Sequence, residues 1–67
     1  MHIPGLSDGG LLMLHGAIRN ALAVDDAVPA GKDKPYGVRT FQDWRSMADE
    51  LEAELRKRGV PFQPILW

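Results

Sequence analysis

The chain has 67 residues, 45% of them apolar and 25% charged, with no cysteine and a formal net charge of −1. These figures fit one small domain spanning residues 1–67. They exclude a disulfide scaffold, a thiolate zinc site and disorder of the highly charged, apolar-poor kind. The near-neutral balance gives no overall basic field for nucleic acid or anionic lipid. With only His2 and His15 as imidazoles, no metal site and no cofactor is expected. The longest mainly apolar run, Leu11 to Ile18, is interrupted by His15 and Gly16. It is far shorter than the roughly 18–20 residues a membrane span needs, so no membrane partner is expected. No Lys or Arg precedes it, so it does not read as a signal peptide. The start at Met1 and the lack of cysteine fit a complete small cytoplasmic protein of a bacterial kind.

In chain order, Met1 to Leu6 reads as extended or turn, because Pro4 and Gly5 stop a helix. Ser7 or Asp8 then offers an N-cap oxygen, and a helix is predicted over about 9–25. Gly9 and Gly10 weaken its first turn. Leu11, Leu14, Ile18, Ala21 and Leu22 form its apolar stripe, widened by Ala17. Gly16, Arg19 and Asn20 lie opposite, but Leu12 projects on that side too, and Met13 and Val24 flank it. An apolar surface that wraps so far round predicts contact with more than one neighbour.

Residues 27–39 are punctuated by Pro29, Gly31, Pro35 and Gly37 and read as a long, mobile surface loop. Gly31-Lys32-Asp33-Lys34 has a superficial likeness to a phosphate loop. It lacks the second Gly-Lys-hydroxyl element and the flanking strand and helix, so it reads as solvated loop. Lys32, Lys34, Arg39 and Arg45, with Arg19 and Tyr36, are nevertheless the candidates for an alternative function, a basic patch for nucleic acid.

A second helix is predicted over about 41–58, with Thr40 as N-cap and Asp43 in the first turn. Arg56, Lys57 and Arg58 occupy the last turn, and Gly59 is expected in a left-handed Schellman closure, with Val60 near Leu55. Glu52–Arg56 and Glu54–Arg58 are expected i,i+4 pairs in the more favourable orientation. Phe41, Trp44, Ala48, Leu51 and Leu55 recur at helical spacing as a narrow seam, with Met47 beside it. The tail from Val60 contains Pro61 and Pro64 and five large apolar residues. It is expected to fold back over the helices in extended form. Its Pro61–Pro64 spacing matches PxxP, but the apolar neighbours favour docking on the chain itself.

Chemistry-bearing residues are sparse. His15, at the edge of the first apolar stripe, is expected to be a structural histidine with one hydrogen bond. Asp25 and Asp26 sit at the unfavourable end of the helix dipole. They are expected to bond local N–H groups, with Lys32 or Lys34 folding back.

The sequence therefore predicts an all-α fold. It is a two-helix, hairpin-like domain with both Pro-containing ends packed on it, paired as a dimer into a four-helix bundle. The expected function is non-enzymatic: an interaction module that binds itself, as a homodimer, or another protein. The candidate contact residues are Leu14, Ile18, Leu22, Phe41, Trp44, Leu51, Leu55 and Trp67.

Overall fold

A computed structural model describes residues 2–67. It contains two α-helices and, among the described residues, no strand: α1 spans Asp8–Asp26 and α2 spans Gln42–Arg58. A single 3-10 turn, Ile3–Gly5, precedes them.

The helix ends follow from local hydrogen bonding. The Ser7 hydroxyl accepts from the Gly10 N–H at 3.0 Å and caps α1. At the end of α2, Gly59 takes the left-handed conformation at φ 69°. The Val60 N–H then reaches back to the Leu55 carbonyl at 3.0 Å, the expected Schellman closure. The start of α2 differs from expectation. Thr40 is not the cap; Phe41 holds that position and gives no side-chain bond. The reason is a tight turn at Gly37, whose φ of 66° suits glycine. The Gly37 carbonyl accepts from both Thr40 N–H (3.0 Å) and Phe41 N–H (2.9 Å). The turn thereby satisfies these donors with backbone and moves the helix start past Thr40.

The helices run antiparallel, since Arg58 meets Asp8 and Glu52 meets His15. Leu11, Ile18, Ala21 and Leu22 of α1 pack with Ala48, Leu51 and Leu55 of α2 in one core. Ile3, Val38 and Ile65 seal it from the three irregular segments. Phe41 departs from the predicted seam: it is 61% exposed. It lies one residue before α2, and its ring rests over Gly37, within 2.8 Å of where a Cβ would stand. The buried seam of α2 therefore starts from half-buried Trp44.

Both ends fold onto the helices. The Arg58 guanidinium binds Glu54, Asp8 and the carbonyls of Leu6 and Pro4, which ties the N-terminal segment to the end of α2. The tail is extended, with Ile65 buried and Val60, Phe62 and Trp67 packed against the core. Trp67 also receives Arg45 over its ring at 5.4 Å, and its carbonyl accepts from Arg39. Leu66, by contrast, is 86% exposed. Trp67→Ala is expected to cost about 1 kcal/mol of partial burial, lowering the melting temperature by about 4–8 °C. Leu66→Ala should leave the circular-dichroism melt unchanged, and equal effects of the two would mean the tail does not dock this way.

Candidate functional site

The buried polar groups form two separate knots. The first is Asp25, completely buried in the last turn of α1. Its carboxylate accepts from the Tyr36 N–H at 3.0 Å and the Val38 N–H at 2.8 Å. Its carbonyl accepts from the Lys34 ammonium at 2.8 Å. The fold-back of Lys34 matches expectation, but the carboxylate partners are not local; they lie 11 and 13 residues further on. Asp25 thus pins the second half of the long connection, and Val38 beside it is only 1% exposed. Next door, Asp26 receives a two-pronged contact from Arg39, both bonds 2.9 Å long. Those hydrogen bonds hold the Asp26 carboxyl below its ordinary range.

The second knot joins α1, α2 and the tail. His15 Nε2 lies 2.8 Å from a Glu52 carboxylate oxygen, and the Ile65 N–H donates to the same oxygen at 3.1 Å. Arg56 donates to the other oxygen at 3.2 Å. Phe62 closes the site edge-on to His15, ring centres 5.3 Å apart, and Arg56 lies over the other side of the knot against Phe62. His15 is the structural histidine expected, but its partner was not foreseen. Glu52 reads in sequence only as an i,i+4 partner of Arg56. The available signal was its place beside Leu51, at the edge of one apolar stripe, facing His15 at the edge of the other. Burial opposes ionisation of Glu52, yet the bonds from His15 and Ile65 and the nearby charges outweigh it and hold its carboxyl below the ordinary value.

These knots fasten structure together and leave little free charge. Of the four basic-loop candidates, Lys34 is held by Asp25, Arg39 by Asp26 and the Trp67 carbonyl, and Arg45 by the Trp67 ring. Lys32 is exposed. A cleft of about 430 Å³ lies among Arg39, Phe41, Arg45 and Trp67. Its two guanidiniums are already engaged. Among the described residues, no group of three or more His, Cys, Asp or Glu is placed to hold a metal.

The candidate contact residues divide sharply. Ile18, Leu22, Leu51 and Leu55 are enclosed in the core of the single chain. Leu14, Trp44 and Trp67 are half-buried, and Phe41 is exposed. A different surface emerges on the outward side of α1. Gly9, Leu12, Met13, Ala17, Asn20, Ala23 and Val24 are exposed there, and Met13 is 69% accessible. The sole exposed charge between Gly9 and Val24 is Arg19, which turns to Gln63 of the tail. The exposed side of α2 is the opposite, carrying Asp43, Arg45, Asp49, Glu50, Arg56 and Lys57. The signal for this surface was legible in the wide apolar arc of the first helix.

The fold and these sites define a small all-α helical hairpin braced by a 3-10 turn at its N-terminal end and by an extended C-terminal tail. No known protein family, curated protein or solved structure matches this chain. No described helix is long and apolar enough to cross a membrane.

Proposed function

We propose that this chain is a non-catalytic protein-interaction module whose contact surface is the outward side of α1. One observation carries the reading: this helix buries one side in its own core and shows apolar and small residues on the other. A helix apolar all round belongs in an interior, and depletion of charge marks the centre of protein interfaces. The polar knots support the same reading, because Asp25, His15 and Glu52 are occupied in holding the scaffold. The engagement of Lys34, Arg39 and Arg45 within the chain favours a protein partner over nucleic acid.

The test is site-specific crosslinking in cells. A photoreactive residue at Met13 should give a discrete covalent adduct with protein, whereas the same residue at Asp49 on α2 should not. Equal adducts from both sites, or none from Met13, would overturn the assignment of this surface.

A further inference from the structure

We propose that the groove beneath the tail is a peptide-binding site, filled in the resting chain by residues 62–67 themselves, and that its exchangeable occupant is an extended segment of another protein. That segment carries aromatic, aliphatic and aromatic side chains at the spacing of Phe62, Ile65 and Trp67. The site is separate from the outward side of α1 and stands or falls independently of it.

The seated tail shows what the groove recognises. It runs along α2 in the opposite direction, with Phe62 against Arg56, Ile65 against Glu52 and Trp67 against Arg45. On its other flank it meets α1, at His15 through Phe62 and at Arg19 through Gln63. The lengths match: the extended rise from Phe62 to Trp67 is about 17 Å, and so is the helical rise from Arg45 to Arg56, about 17 Å. Phe62, Ile65 and Trp67 pack inward, while Gln63, Pro64 and Leu66 are exposed. The inward three are the recognised face. Pro61 and Pro64 favour an extended form before docking, which reduces the cost of ordering the segment.

One contact reads the backbone itself. The buried Glu52 carboxylate, held from the other side by His15, accepts the Ile65 N–H at 3.1 Å. Any residue except proline supplies that donor. A buried acceptor stripped of its donor is costly. The groove therefore demands an occupant, and its chemistry does not require that the occupant belong to the same chain.

The tail is fastened so that it can leave without the hairpin. Among the described residues, no backbone–backbone hydrogen bond is made beyond Val60. Every arginine except Arg58 touches the tail, yet Arg19, Arg39, Arg45 and Arg56 are all exposed. Contacts of exposed guanidiniums compete with water and contribute little each. Within residues 61–67 only Ile65 is buried. The end of α2 is closed before the tail docks, by the Val60 N–H on the Leu55 carbonyl. Undocking from Phe62 onward leaves that closure intact. The tail then acts as a tethered competitor. A short tether gives an effective concentration of the order of millimolar, so weakening the tail raises the apparent affinity for a free segment.

The probe is a fluorescein-labelled peptide with the sequence of residues 60–67, added to the full chain and followed by anisotropy. Ile65→Asp puts a carboxylate into the buried site beside Glu52 and should undock the tail. The peptide should bind this chain at least roughly tenfold more tightly than the native one. Methylating the peptide nitrogen that corresponds to Ile65 removes the donor to Glu52 and should cost about tenfold in affinity. Equal affinity of the peptide for both chains, or no binding to either, overturns the site. Unchanged affinity after methylation overturns the role of Glu52 in it. If Ile65→Asp loses its helices, Trp67→Ala decides in the same assay, with an expected gain of about fivefold. Native-state hydrogen exchange on the unmodified chain tests the opening directly. The Ile65 amide should exchange through an opening that leaves the Leu51 and Leu55 amides protected. Equal protection of all three would mean that the tail leaves only when the hairpin unfolds, which overturns the exchange.

Discussion

Asp25→Ala is expected to remove a large part of the chain's stability. The substitution removes the acceptor for two backbone N–H groups, those of Tyr36 and Val38. Val38 is part of the core, so water does not replace that partner freely. The buried Val38 donor left unpaired costs about 1–3 kcal/mol, and the part-buried Tyr36 donor adds less. A core of this size supplies only about 3–5 kcal/mol in total. Asp25→Asn should fall between, because one amide oxygen accepts while the NH2 group confronts the second donor. Asp26→Ala is the control: it breaks an exposed ion pair with Arg39, a class of contact with little effect on stability. Thermal melts followed by circular dichroism decide the matter. If Asp25→Ala and Asp26→Ala melt alike, the Asp25 knot does not hold the connection.

Glu52→Ala is expected to be comparably severe. It strips His15 and the Ile65 N–H of their shared acceptor and removes the side-chain bond that holds the tail backbone at Ile65. Each buried polar group left without its partner costs about 1–3 kcal/mol. The milder Glu52→Gln keeps the shape and allows a test by pH. Glu52 ionises below its ordinary value of 4.5 in the folded chain. Its carboxylate therefore stabilises the fold fully above that ordinary value, and the contribution is lost as pH falls through the lowered one. The native chain should melt well above Glu52→Gln at pH 7, and the gap should close progressively below about pH 4.5. A gap that stays constant from pH 7 to pH 3 would remove Glu52 ionisation from the account. Asp26 shifts in the same direction through Arg39, but it is unchanged in both proteins and cancels in the comparison.

The surface assigned to partner binding combines both kinds of information. Leu12, Met13, Ala17 and Val24 already stood out as apolar positions that a single facing helix does not account for. Only the folded chain shows that the tail and N-terminal segment leave the outward side of α1 uncovered while enclosing Leu51 and Leu55. The sequence alone placed those two leucines among the contact candidates. In the structure they are spent on the hairpin itself, because a two-helix core this thin needs its whole narrow seam.

What the sequence by itself determined are the features set by near neighbours. Ser7 caps α1 through a bond to Gly10, and Gly59 with Pro61 ends α2, because both arrangements close within a few residues. The apolar spacing of Leu11, Ile18, Leu22, Leu51 and Leu55 likewise specifies two amphipathic helices before any contact is known. The tertiary structure alone decided the rest. The long connection permits either helix direction, so the antiparallel arrangement rests on contacts such as His15–Glu52, 37 residues apart. The same holds for Asp25, whose position at the dipole's negative end is unfavourable locally. It is stabilised by N–H groups brought to it by the turn at Gly37, and local propensity carries no information about donors that arrive from so far along the chain.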